Sequence, residues 1–559
     1  MKLKNIFLPL LLCATAALAV PKDAPERLKH DDHIIDNPVQ QGKGHAHCSM
    51  GVANGYACNR IDMLANVSMD EMGGGNGADG WGWKDELTGQ YYAIVARTNG
   101  TAFIDITNPT QPIFRANVIS SAGISSWRDV KIYKDHAYIV ADDLSAHGMQ
   151  VFDMARLRGV EPETVLEPDA VYGLFGSAHN IAINEDSGFA YVVGGDQCQG
   201  GLHMVDLAQP KNPMFAGCFS GDGYSHDVQC VNYHGPNIAF QGREICVGSN
   251  EDSITIVDVT DKNNPAQLSK GLYPNTGYTH QGWFDDDHKY FYVGDELDEL
   301  SFGFNARTIV FDLGVLTTPV YVGSYFSSAS VIDHNMYVVD DHVFQANYLG
   351  GLRVLRIIDP AHANLSEVAF FDTHPNEDSF NFAGAWSLYP FFDNGITLVF
   401  DINNGLFVLE NEFQQSAVGL LNGSISGQWV AEGLPDQGLT VMVGENASGK
   451  FLFYVWYTYV NGVPYWFAGN AFFENGADSI SMPAIFLDGL EFLTPTSGLA
   501  NRNVAGTVEV TVHTCDAIRV QYDLGAMGSG DIEMTRLLGI EGRSCTGQSV
   551  TSHDDDHEN

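Results

Sequence analysis

The sequence predicts an all-β chain: a seven-bladed β-propeller followed by a small antiparallel β-sandwich or barrel. Three observations carry this prediction. A short motif recurs seven times, comprising a β-branched or aromatic strand, a polar loop and a second strand that usually ends in Asp. Its copies return roughly every 45 to 55 residues, with room for about four strands each. Helical periodicity is nearly absent after the first residues, apart from a turn near Met154-Ala155-Arg156. Four-stranded units at this period suit propeller blades, which close radially and hide their sheet edges. Separate β-sandwich domains need nearly twice the length per unit.

In chain order, residues 1–19 read as a signal peptide: Lys2 and Lys4 precede an apolar run that ends in Ala17-Leu18-Ala19. Leu11 and Leu12 stand before Cys13 where a lipoprotein signal needs small residues. Residues 20–69 form an N-terminal extension carrying Cys48 and Cys58, and 70–412 the propeller. The seven motif copies span 91–107, 137–154, 190–207, 244–260, 290–313, 342–358 and 396–411. Residues 413–548 form the second all-β domain, in which Trp429, Trp456 and Trp466 are expected in the core. Residues 549–559 are an acidic, disordered tail.

Composition narrows the function. The formal net charge of −41 repels phosphate backbones, so nucleic acid is excluded as a partner. The longest strongly apolar stretch beyond the signal, 451–460, is half of what spans a bilayer, so no transmembrane segment is expected. Nine cysteines less Cys13 leave an even set in an exported chain, which favours disulfides. Neighbours suggest Cys48 with Cys58, Cys198 with Cys218, Cys230 with Cys246 and Cys515 with Cys545, although sequence alone does not select a connectivity.

The motif is purest in SITIVDVT (253–260), with echoes in GLHMVDL and GLFVLEN. Together with GREICVGSNEDSITIVDVTDKNNP, YTHQGWF, GDELDE and SEVAFFDT, it resembles the secreted "choice-of-anchor B" proteins built from LVIVD repeats, from about Cys48 to Glu412. The resemblance implies a secreted or surface location, in the periplasm or on the surface of a bacterium, and a variable C-terminal region. It implies no established reaction. The second domain resembles a β module appended to other secreted bacterial proteins, through Gly427, Trp429, the string WYTY and Trp466.

One dipeptide per blade opens the strand before each motif: Arg128-Asp129, His179-Asn180, His226-Asp227, His280-Gln281, His334-Asn335 and Trp386-Ser387. Successive first residues lie 51, 47, 54, 54 and 52 apart, so equivalent positions should form one belt around the axis, completed by Trp81 or Trp83. Neighbouring strands are antiparallel, so the loops after each second strand rim the same mouth. These loops bring Asp142, Asp143, Asp196, Glu251, Asp252, Asp295, Glu296, Asp298, Glu299 and Asp401.

The expected site is an acidic, His-lined funnel for a divalent metal (Ca, Zn or Mn) or a small polar ligand. Its metal-ligating candidates are His179, His226, His280, His334 and Asp227. Arg128, Asp129, Asn180, Asp333, Trp386, Asp196, Asp295 and Asp401 are expected in its lining. Asp227 and Asp333 stand beside histidines where they could orient the rings. The competing reading is that such side chains only satisfy loop backbone and bind water.

No EF-hand register, nucleophile elbow, phosphate loop or zinc-helix motif occurs. Three functions remain open: a secreted or surface binding and scaffold protein, a metal-dependent hydrolase using the same funnel, and a purely structural surface protein. A surface protein, a glycan or a small ligand is the expected partner.

Overall fold

A computed structural model of the chain describes residues 43–411 and most of 421–539; within the latter span, 422, 432, 435–436, 447–448, 461, 474–476, 478, 489–500 and 515–516 are outside the description. The signal segment, the acidic tail and both Cys515 and Cys545 lie outside the described residues.

The LVIVD-type motif folds as the second and third strands of a blade, and its sequence explains why. Alternating β-branched residues bury both faces of the third strand, as in Ile254–Asp258, because each blade is sandwiched between two others. The closing Asp then ends the strand by accepting the backbone N–H two residues on. Thr107 donates to Asp105, Ala155 to Asp153, Ala208 to Asp206, Thr260 to Asp258, Gly314 to Asp312 and Ala361 to Asp359, at 2.7–3.1 Å.

Seven blades result. The innermost strands of the first six are Gly77–Asp85, Arg128–Tyr133, Asn180–Asn184, Asp227–Asn232, Thr279–Phe284 and Met336–Val339, and each blade runs outward in sequence order. The seventh begins with Ala385–Tyr389, continues through Ile396–Asp401 and Gly405–Asn411, and takes its outermost strand from Ile61–Val67. The ring is therefore closed by a strand upstream of the 70–412 span expected for the propeller. Asn66 seals the joint by donating to the carbonyls of Asn404 and Leu406. A β-bulge recurs between the two outer strands of six blades, where it adds twist.

The hairpin Val52–Ala53 and Tyr56–Asn59 extends the edge of blade six, through Cys58 opposite Phe371. Disulfides join Cys48 to Cys58, Cys198 to Cys218 and Cys230 to Cys246. The last crosses directly between the first and second strands of blade four.

The second domain is an eight-stranded antiparallel closed barrel, with Gly427–Val430 paired to Ser529–Gly539 at the seam. Trp429 and Trp456 fill its apolar interior with Tyr454, Phe467 and Met482. Trp466 does not join them. It is 67% exposed and packs edge-on to Tyr457, because strand alternation that turns Phe467 inward turns its neighbour outward. No helix among the described residues is long and apolar enough to cross a membrane.

Candidate functional site: an axial histidine belt and its acidic mouth

The innermost strands place side chains on the propeller axis at successive levels. At the mouth level, consecutive blades bring His179, His226, His280 and His334 ring to ring. Centroids lie 4.4 Å apart for the first pair, 4.0 Å for the second and 4.2 Å for the third. Trp386 continues the row from blade seven, 4.8 Å from His334. The belt is buried rather than open: His226, His280 and His334 are at most 2% exposed.

Backbone carbonyls fix ring orientation. His226 donates through Nδ1 to the His280 carbonyl (2.9 Å), and His334 through Nδ1 to the Trp386 carbonyl (2.5 Å). A proton on Nδ1 leaves the lone pair on Nε2, the tautomer that a metal requires. Glu296, from the loop after the second strand of blade five, lies beside the Nε2 atoms of His280 and His334. Its carboxylate oxygens lie 3.7 Å from His280 Nε2 and 3.8 Å from His334 Nε2. The Tyr348 hydroxyl donates to Glu296 Oε1 at 2.6 Å, holding the carboxylate in place from blade six. His280 Nε2 makes no hydrogen bond. Burial first, then the neighbouring imidazoles His226, His334 and His179, push the His280 pKa well below the ordinary imidazole range, so the ring is neutral.

His179, at the other end of the row, is engaged differently. Its Nδ1 meets Asp142 Oδ2 at 3.1 Å, and Ser177 donates to Asp142 Oδ1 at 2.7 Å. Burial alone would raise the Asp142 pKa, but His179, Ser177 and the Asp143 N–H carry it well below the ordinary carboxylate range. Beside this pair opens a cavity of about 340 Å³ lined by loops of blades two to five. Asp143, Asp196 and Glu251 join Asp142 in its wall. Trp127, Tyr224 and Tyr278 are its aromatic lining. Tyr224 and Tyr278 each stand two residues before a belt histidine, a repeated signal that sequence reading passed over.

Several expected lining residues are placed elsewhere. Asp295 is fully buried and accepts from the Tyr273 hydroxyl and the Gly277 and Tyr278 N–H groups, so it shapes the loop. Asp401 does likewise for Asn403 and Asn404 and pairs with His374 at 3.1 Å. Arg128 turns to His147 Nε2 (3.1 Å) and the Gly123 carbonyl. Asp333 does not orient His334. It faces Glu299 and Asp298, and the donor oxygens of the three lie within 4.8 Å of one another. Arg307 balances Asp298 at 2.5 Å, while burial first raises the pKa of all three acids, followed by the Asp333 charge for Asp298 and Glu299 and the Asp295 charge for Asp333.

One step along the strands lies a second axial level, and Asp227 belongs there rather than with the histidines. It accepts from the Val228 N–H, and burial followed by the Asp129 charge raises its pKa to about 7. Lys131 bridges Asp129 (2.5 Å) and Asp79 (3.5 Å). Side chains here stitch blade to blade: Asp129 accepts from the Ile181 N–H, Asn180 donates to the His226 carbonyl and Gln281 accepts from the Met336 N–H. Below, Trp81, Trp283, Tyr337 and Phe391 pack into an aromatic floor, with Lys131 4.7 Å above Trp81. Trp83 instead packs on Tyr92 inside blade one.

The described residues contain one more grouping of donor atoms, formed by His45, His47 and Asp62 at the chain's N-terminal side.

Comparison with known proteins accords with the architecture. The family described as LVIVD repeat matches residues 87–119, which hold the second to fourth strands of blade one. The propeller carries an LVIVD repeat. No curated protein matches the chain. Similar solved structures include a functionally unknown protein from Desulfotomaculum acetoxidans DSM 771 (15% identity, TM-score 0.38, covering 55% of this chain and 95% of that one). A protein from Lactobacillus plantarum has 11% identity and a TM-score of 0.39, covering 54% and 85%. A hypothetical selenium-binding protein from Sulfolobus tokodaii has 13% identity and a TM-score of 0.34, covering 52% and 80%. Likenesses this loose carry no argument about activity.

Proposed function

We propose that this chain is an exported LVIVD-repeat binding protein of the choice-of-anchor B type, whose propeller holds a divalent transition metal on its axis between blades five and six. One observation carries the reading: two imidazoles and one carboxylate converge in a buried space, with His280 Nε2 and His334 Nε2 3.7 and 3.8 Å from the Glu296 oxygens. Ligand atoms about 2.0–2.1 Å from a tetrahedral ion stand roughly 3.3 Å apart, so a small contraction brings three of the four ligands into place. Two imidazole nitrogens favour zinc over calcium or manganese, which prefer oxygen ligands. Tyr348 would hold the carboxylate, and the Trp386 carbonyl the His334 ring, in the supporting manner usual around metal ligands.

Bound there, the metal would cross-link two blades. Burial of all three donors shields the ion from substrate, which favours this structural role over hydrolysis, and the fourth position of a tetrahedral ion is left to a water. The ligand-facing part of the protein is the acidic mouth beside His179. Export is consistent with three disulfides in the described residues.

Cobalt(II) substitution tests the proposal. Full-length protein stripped by chelator and titrated with Co²⁺ is expected to develop visible d–d bands at one equivalent, which vanish in His280→Ala/His334→Ala. Absence of such bands, or bands unchanged in the double variant, refutes it.

A further inference from the structure

The cavity beside His179 has a chemistry of its own. Its wall carries four carboxylates, Asp142, Asp143, Asp196 and Glu251, and no lysine or arginine. Asp142 is held ionised by His179 and Ser177. The same wall presents Trp127, Tyr224 and Tyr278. Carboxylates attract a positive charge, and aromatic faces stabilise a cation that has shed its water. A volume of about 340 Å³ lies in the range of pockets that enclose small molecules.

A bare metal ion fits less well. Indole and phenol rings supply poor ligands to a hard ion, and no three of the wall carboxylates bring donor atoms within 4.8 Å of one another. Among the described residues, the three groups whose donor atoms approach within 4.8 Å lie elsewhere, at His280, Glu296 and His334, at Asp298, Glu299 and Asp333, and at His45, His47 and Asp62.

We propose that this cavity binds a small organic cation, an amine or quaternary ammonium compound, seated against Trp127, Tyr224 and Tyr278 with its charge offset by the surrounding carboxylates. The proposal is separate from the axial metal, because no wall residue belongs to the His280, Glu296 and His334 group.

Calorimetry on the full chain tests it, using choline, putrescine and agmatine as probes and 3,3-dimethylbutan-1-ol as the uncharged counterpart of choline. At least one cation is expected to bind with a Kd of roughly 1 mM or tighter, and the neutral alcohol at least about tenfold more weakly than choline. Asp143→Asn/Asp196→Asn should weaken the cation about tenfold, and Trp127→Leu severalfold. His280→Ala/His334→Ala should leave it within twofold, which separates this proposal from the metal reading. The wild-type comparison between choline and the alcohol needs no variant to fold. The proposal is overturned if none of the three cations binds at up to roughly 10 mM, if the alcohol binds as tightly as choline, or if Ca²⁺ alone occupies the cavity.

Discussion

Two levels of the same propeller axis, one residue apart along the same strands, solve the burial of polar groups in opposite ways. At the lower level, Asp79, Asp129, Asn180 and Gln281 find their partners within the protein: Lys131, or a backbone group of the next blade. At the upper level carbonyls of the next blade accept from Nδ1 of His226 and His334, and the Nε2 atoms of His280 and His334 look toward Glu296 across 3.7 and 3.8 Å. Repetition copied the position of both levels. Only the upper one receives a carboxylate from a second-strand loop, which gathers the donor atoms of His280, Glu296 and His334 within 4.8 Å of one another. Blade repetition by itself therefore accounts for where both levels lie, and the Glu296 carboxylate sets the upper one apart.

The largest expected effect breaks the lower level. Burial alone would lower the Lys131 pKa, but Asp129 and Asp79 outweigh it and hold the lysine charged. Lys131→Met leaves these carboxylates uncompensated, and should destabilise the propeller by about 3–5 kcal/mol in denaturant titration at pH 8. The loss should be smaller at pH 5, because burial raises the Asp79 pKa to about 7 and the protonated acid needs no counter-charge.

The upper level is tested through metal. Zn²⁺ at a hundredfold excess over its Kd should stabilise the wild type by about 2.7 kcal/mol, and His280→Ala/His334→Ala by nothing. A thermal melt with and without zinc reads the difference.

Asp227 sharpens the contrast between levels. Its folded pKa of about 7 lies above the ordinary 3.8, so the stability it contributes is complete below about pH 3.8 and lost as pH rises through 7. Asp227→Asn should therefore stabilise the protein at pH 8 by about 1–2 kcal/mol, well short of the roughly 4 that the full shift would give, since the side chain is partly exposed. At pH 4 the gain should disappear. The smallest expected effect is that of Tyr348→Phe, which removes the hydrogen bond to Glu296 and should weaken zinc about tenfold, or roughly 1.4 kcal/mol, with little change in apo stability.

Much of the architecture was legible because repeats turn a three-dimensional question into a spacing. Motifs roughly 50 residues apart defined the blades, and one dipeptide per blade located the level of the histidines. What escaped depends on contacts between distant segments. Nothing local in Ile61–Val67 says that it will pair with Gly405–Asn411, more than 330 residues on. Glu296 was visible as one acid in a run of four, yet its neighbours Asp295 and Asp298 turn to a loop backbone and to Arg307, and only the fold separates the three roles. Asp401 looked like a rim residue for the same reason, although its oxygens are spent on Asn403, Asn404 and His374. Trp466 was misplaced because aromatic content was read without the strand register that turns it outward.

The most direct test of the axial metal is anomalous diffraction from crystals of the full chain grown with zinc, recorded on both sides of the zinc absorption edge. The account predicts a single strong axial peak about 2.0–2.2 Å from His280 Nε2, His334 Nε2 and a Glu296 oxygen. A map without a peak there, or with zinc held instead among Asp298, Glu299 and Asp333, would contradict it.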